Sequence, residues 1–307
     1  ARGGCGRVTG VSSSQRLGAD LILVFVSFLW GATFVVVKSA LADASSLVFL
    51  ALRFSIAVLL LLLLLRFRPG SLSGFLSHWR GGALCGCFLF LGYALQTAGL
   101  LTTTASKSAF LTGLFIVLVP VLSSLLHRRA PGWIEWTGTL MAIGGTALLT
   151  ITPSTGFRLT TGDLLTIGCA FAFSAHMVTV ARLSRSRSHA ALTLWQILSV
   201  AVLSAASCWW AEPPRLVWTP RLSFALVVTA VLATTVSFAL YTWAQARTTA
   251  TRAALIFALE PVFAALTAWI WSGEVWGPRT LAGAALILTA ILFVELKPSW
   301  RQAHPQN

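Results

Sequence analysis

The feature that most constrains this chain is a succession of about ten apolar blocks of 17 to 23 residues, separated by short polar stretches. At 1.5 Å per residue, a helix of that length crosses the roughly 30 Å hydrocarbon core of a bilayer. Inside that core a helix satisfies its own backbone N–H and C=O groups, which bare strands do not. The blocks also lack the ten-residue alternation of a transmembrane β-barrel. They fall at 20–41, 46–65, 81–101, 105–126, 133–151, 163–181, 190–210, 222–243, 249–271 and 280–295. Ten such helices use up most of 307 residues and leave no room for a second, aqueous domain. The expected fold is an all-α membrane protein whose short connections, such as that between Leu101 and Ala105, make neighbouring helices antiparallel hairpins.

Charge supports this reading and excludes another. Only 10 % of residues are charged, against about 25 % in soluble domains, and 22 basic residues face 8 acidic ones for a net charge of +14. The basic residues lie singly or in twos and threes at block ends, as orientation signals do, so no nucleic-acid partner is expected. With the N-terminus cytoplasmic, fifteen of them fall on the cytoplasmic side and five opposite; Lys38 and Arg53 lie within blocks. This bias places both termini inside and favours an even number of spans. Trp133, Trp136, Trp209, Trp210, Trp269, Trp271 and Trp276 gather near block ends, where an indole keeps its N–H at the headgroups. The five cysteines show no CxxC spacing and read as small, mostly buried residues. Residues 1–19 read as a flexible cytoplasmic tail or an incomplete start rather than a cleavable signal, and 297–307 as a second cytoplasmic tail.

The two halves of the chain match. Asp20-Leu21, Phe28, Trp30, Gly31 and Ala32 correspond to Asp163-Leu164, Phe171, Phe173, Ser174 and Ala175, all 143 residues apart. Thr103 to Ala109 reappears as Thr248 to Ala254, and Gly138 as Gly283, 145 residues apart. Residues 20–151 and 163–296 thus form two five-helix repeats joined by a connection at 152–162. Five is odd, so the second repeat enters the membrane from the opposite side, and exchanging the conformations of two inverted halves supplies alternating access.

Leu29-Trp30-Gly31-Ala32-Thr33-Phe34 with Lys38, Leu52-Arg53-Phe54, Tyr93 to Ala98, Ala109 to Leu114 running to Val119-Pro120, and Leu259-Glu260-Pro261-Val262-Phe263 followed by Gly273-Glu274 resemble the drug/metabolite transporter superfamily. Within it the chain is similar to ten-span EamA-like transporters, over about residues 20–296. One departure is that Arg128-Arg129 stands where the second half has Gly273-Glu274. The resemblance implies a bacterial inner-membrane secondary transporter that exports small metabolites. Amino acids or related amphiphiles are favoured, since the spans lack the clustered basic residues a strongly anionic cargo needs.

Several residues inside the blocks are candidates for cargo contact. Glu260 sits mid-block before Pro261, where an unpaired carboxylate is costly and a proline leaves the Phe257 carbonyl without its donor. It faces cargo, exchanges a proton, or pairs with Lys38, Arg53 or His176. His176 titrates in the physiological range or simply packs. Lys38 and Arg53 snorkel to the headgroups or turn inward to meet a zwitterion together with Glu260. Tyr93 and Gln96, with Thr97, are loosely matched by Tyr241, Trp243 and Gln245; with Gln196 they offer hydroxyls and amides, while Trp30, Phe34, Phe173 and Phe257 suit an apolar side chain. Gly31, Gly81, Gly82, Gly86, Gly113, Gly144 and Gly145 read as close helix contacts, since no phosphate loop accompanies them. No cofactor or metal is expected beyond possible proton coupling. The expected partners are a small metabolite and membrane lipids, with monomer and homodimer both open. A lipid-headgroup enzyme using Glu260 and His176, a lipid flippase and a noncatalytic scaffold are the competing readings.

Overall fold

The computed structural model describes residues 12–67, 75–103, 105–127, 132–150, 160–185, 188–272 and 277–295. Residues 1–11, the tail 297–307, most of the 152–162 connection, and the Arg128-Arg129 and Gly273-Glu274 positions lie outside them. The described chain is built of helices: α1 (Ser13–Ala40), α2 (Ser46–Arg66), α3 (Trp79–Gly99), α4 (Ala105–Thr112), α5 (Phe115–His127), α6 (Trp133–Thr150) and α7 (Thr161–Leu183). Then come α8 (His189–Ser207), α9 (Pro220–Val228), α10 (Ser237–Gln245), α11 (Ala250–Ile256), α12 (Glu260–Ser272) and α13 (Pro278–Glu295). A π-helical stretch, Thr229–Val236, joins α9 to α10. Among the described residues, eight helical stretches are long and apolar enough to cross a membrane, and Pro278–Val294 forms a shorter apolar helix.

α1 starts seven residues before Asp20, inside the stretch expected to be tail. Ser12 accepts from the Gln15 amide while the Gln15 side chain accepts from the Ser12 amide, a reciprocal cap that opens the helix early. Two apolar blocks are interrupted. The first breaks at Gly113-Leu114, between α4 and α5; the second tightens into a 3₁₀ turn at Phe257–Leu259, between α11 and α12. Glycine weakens the first helix at the break. Pro261 falls in the first turn of α12, where its missing N–H leaves no intrahelical bond unmade.

The helices of the two halves interleave. α6 packs along α13, α2 against α8, α3 against α7 and α8, α1 against α12 and α10, and α7 against α5. Close approach is set by absent side chains. A Cβ on Gly145 of α6 would stand 2.7 Å from the Gly283 carbonyl of α13, and one on Gly31 of α1 would collide with the Glu260 carbonyl. Trp133, Trp209 and Trp210 are exposed near helix ends, as expected of residues at a membrane boundary.

Candidate functional site

A cavity lies where the two halves meet, lined by residues of both. α1 contributes Trp30, Thr33, Phe34 and Val37; α2 contributes Arg53; α3 and its C-cap contribute Leu89, Tyr93, Gln96 and Leu100. Thr112 and Phe115 flank the break between α4 and α5, and Phe257 and Glu260 flank the break between α11 and α12. Phe173, His176 and Met177 of α7 and Phe238 and Tyr241 of α10 complete the wall.

One side of the cavity is an aromatic layer. The Trp30 ring lies 5.0 Å from Phe257, 5.5 Å from Phe238 and 5.8 Å from Tyr241, and the His176 ring stacks on Tyr241 at 5.9 Å. The π-helical stretch anchors two of the wall residues. Its i→i+5 geometry displaces carbonyls from ordinary helical pairing, and the Trp30 indole N–H donates to one of them, that of Ala233, at 3.0 Å. Thr234 in the same stretch donates to the Thr229 carbonyl and accepts from Arg53 Nε at 2.8 Å.

Two ionisable side chains face the cavity from opposite halves. Arg53 is only 3 % exposed, with its guanidinium 4.9 Å from the centre of the Tyr93 ring, so it turns inward and does not snorkel. Glu260 is 8 % exposed and, among the described residues, forms neither a hydrogen bond nor an ion pair. The pairing with Lys38, Arg53 or His176 that the sequence left open is therefore not made. Burying a charge without a counter-ion is expensive in a protein interior and more so within a membrane, which makes these two groups the candidates for contact with cargo.

Of the side chains offered for cargo contact from the sequence, ten line this cavity: Trp30, Phe34, Arg53, Tyr93, Gln96, Phe173, His176, Tyr241, Phe257 and Glu260. Lys38 and Gln196 are not among the lining side chains. Lys38 Nζ donates to the Thr103 carbonyl at 2.5 Å and the Leu100 carbonyl at 3.4 Å, tying down the C-terminal end of α3. Gln196 stands behind the wall, hydrogen-bonded at 2.8 Å to His176 Nε2 and donating at 3.1 Å to the Thr242 hydroxyl. Thr33, Thr112, Phe115, Met177 and Phe238 went unmarked in the sequence. The repeat held the signal for them: Thr33 lies 143 residues before His176, and Phe115 lies 145 before Glu260.

Among the described residues, no group of three or more His, Cys, Asp or Glu side chains is placed to hold a metal ion. The sequence profile of the EamA-like transporter family matches residues 17–151 and again residues 160–296. An uncharacterized transporter of Archaeoglobus fulgidus is 35 % identical over 290 residues, covering 94 % of this chain and 89 % of its own. The uncharacterized transporter YoaV of Bacillus subtilis is 24 % identical over 88 % of this chain and 94 % of its own. A chloroplastic WAT1-related protein of Arabidopsis thaliana is 24 % identical over 89 % of this chain and 68 % of its own. One solved crystal structure superposes on 94 % of this chain and 99 % of its own with a TM-score of 0.76 at 21 % identity, a likeness of fold alone.

Proposed function

Since the chain belongs to the EamA-like transporter family and is a multi-pass membrane transporter rather than an enzyme, we propose that it exports a small zwitterionic metabolite of the amino-acid class by alternating access. The observation that carries the cargo class is the pair of buried, mutually unpaired charges on one aromatic cavity. Arg53 meets the carboxylate, Glu260 meets the ammonium group, and Trp30, Phe34 and Phe257 take an apolar side chain.

Two features support ten spans in two inverted five-helix repeats, 20–151 and 163–296. The interruptions at Gly113-Leu114 and Phe257–Leu259 stand at matching positions, 145 residues apart. Exchanging the halves also maps each principal contact onto another or onto itself: α1 with α12 onto α7 with α5, α1 with α10 onto α7 with α3, and α2 with α8 and α6 with α13 onto themselves. Seven pairs of cavity residues exchange in the same way, Trp30 with Phe173 and Gln96 with Tyr241 among them. Inverted halves of similar energy give a central site two routes of access. The bias of basic residues toward one set of connections supports a cytoplasmic side for both termini, in a bacterial inner membrane on this reading. Glu260 is the group available for proton exchange.

Purified protein in liposomes loaded with a mixed metabolite pool is expected to release amino acids selectively. Glu260→Gln and Arg53→Gln each lower initial flux at least tenfold while the protein still folds. Comparing flux with and without an opposing pH gradient tests the coupling. Unselective or absent release from well-folded protein sinks the cargo assignment, and unchanged flux in both variants removes the two charges from the site.

A further inference from the structure

The cavity is lopsided with respect to the repeat. Val37, Arg53, Leu89 and Leu100 line it, but their second-half counterparts, Val180, Gln196, Thr234 and Gln245, do not, and all four of those are fully buried. The missing residues lie on α7, α8 and the α9–α10 stretch, toward the basic end of the bundle.

That region holds an unusual concentration of unsatisfied polar groups. Tyr241 and Gln245 are four residues apart on α10, with Thr248 one turn further; Ser184 lies two turns beyond His176 on α7. Thr193 and His189 lie one and two turns from Gln196 along α8. These three helix faces start at the His176–Gln196–Thr242 hydrogen-bonded cluster and run to the helix ends. Along them the Tyr241 and Ser184 hydroxyls, both polar atoms of the Gln245 carboxamide, the Thr193 and Thr248 hydroxyls and His189 Nδ1 are buried without a hydrogen-bond partner in the described chain. They are seven of the eleven such atoms described, so the strain of unmade bonds is concentrated here. Buried polar groups are ordinarily paired, and a set left unpaired in one conformation is explained when another conformation wets it.

We propose that these faces of α7, α8 and α10 are the closed walls of a second, polar vestibule, which continues the cavity from Tyr241 to the basic end of the bundle and meets its first charges only at the mouth, where Arg185 donates to the Thr248 carbonyl and Arg247 stands near His189. The proposal rests on the transport reading and adds a difference between its two routes. The open route carries Arg53 with Leu89 and Leu100; the closed one carries Gln196, Thr234 and Gln245 in the corresponding places. At the depth of Arg53 a cargo carboxylate therefore meets a guanidinium on one route and the neutral Gln196 carboxamide on the other, and it is held more weakly there until it reaches the arginines at the basic mouth.

The test uses full-length protein with its native cysteines replaced, carrying Ser184→Cys, Gln245→Cys or, as reference, Leu100→Cys, in oriented liposomes treated with a membrane-impermeant maleimide on one face at a time. The Ser184→Cys and Gln245→Cys variants are expected to label from the basic face alone, and Leu100→Cys from the opposite face. A parallel variant, Gln245→Leu, installs the residue its counterpart carries. It should raise the melting temperature by removing two unpaired polar atoms while slowing metabolite release several-fold. Labelling needs no cargo, so it reports the pathway even where no flux is found. Release with both buried cysteines unreactive from the basic face overturns the vestibule and leaves the transport reading standing; unchanged release in Gln245→Leu overturns the role of Gln245.

Discussion

At the end of the bundle carrying the α1–α2 connection, backbone is tied to backbone. At the basic end, the described contact between α1 and α11 is a side-chain ion pair. In the first region, the Val217 amide donates to the Asp43 carbonyl at 2.7 Å and the Ser45 amide to the Arg215 carbonyl at 2.9 Å, a short antiparallel bridge. The Asp43 carboxylate accepts from Arg221 at 2.6 and 2.8 Å and from Thr219 at 2.7 Å, while Arg215 donates to the Leu41 and Ala42 carbonyls. In the second region, Arg252 donates to both Asp20 oxygens, at 2.6 and 3.1 Å. Yet the cavity leans toward the clasped end, where Val37, Arg53 and Leu100 line it. The density of hydrogen bonds therefore does not mark the closed gate. The clasp fastens two connections at the flank of the cavity; on the proposed alternating-access reading it is expected to act as a hinge and the ion pair as a latch that must be released.

The harshest way to break this contrast is Gly31→Val, which drives a branched side chain into the Glu260 carbonyl and disturbs both ends at once. A loss of about 1–3 kcal/mol, typical of overpacking, with flux nearly abolished is expected from thermal melting and liposome release. Arg252→Ala releases the latch alone. The pair is partly buried, so about 1–2 kcal/mol is expected, between exposed and fully buried values, together with faster labelling of Gln245→Cys from the basic face. Unchanged labelling would remove the distinction between latch and hinge.

Asp43→Asn sharpens the comparison from the other end: it lowers the melting temperature with little change in initial flux, because a hinge loosens without opening the far side. Acid acts on the same group more gently. The hydrogen bonds from Arg221, then that from Thr219, hold the Asp43 carboxyl down to about 2. A depressed carboxylate stabilises the fold fully above its unfolded value near 3.9 and loses that contribution as pH falls through about 2. The protection factors of the Val217 and Ser45 amides, measured against intrinsic exchange at each pH, are thus expected to fall as pH drops from about 4 through about 2, a fall that Asp43→Asn removes.

The apolar blocks were legible because hydrocarbon thickness sets their length, and the repeat because Asp20, Trp30 and the Thr103 segment keep register with Asp163, Phe173 and the Thr248 segment. Glu260 stood out for the cost of its position and proved to face the cavity. Arg53 was harder: a long side chain seven residues into α2 can reach headgroups or an interior, and only the rotation of that helix against α3 decides. Lys38 was drawn into the site by its spacing from Trp30 and Phe34, whereas packing turned it to the end of α3. The Asp43 clasp joins residues more than 170 positions apart, which no local pattern announces.

The π-helical stretch has one further consequence, for how this chain tolerates insertion. A surplus residue in an ordinary helix rotates everything beyond it by about 100°, enough to carry Phe238, Tyr241 and Gln245 off their common face. A widened turn takes up such a residue locally and hands the helix on unrotated. The separation between the halves drifts from 143 to 145 across an interval that contains Thr229–Val236. That interval also contains the α8–α9 connection; a widened turn in the stretch that holds Trp30 and Arg53 is one place where the duplicated halves can differ in length without losing their match, and shortening it by one residue is expected to undo the anchorage.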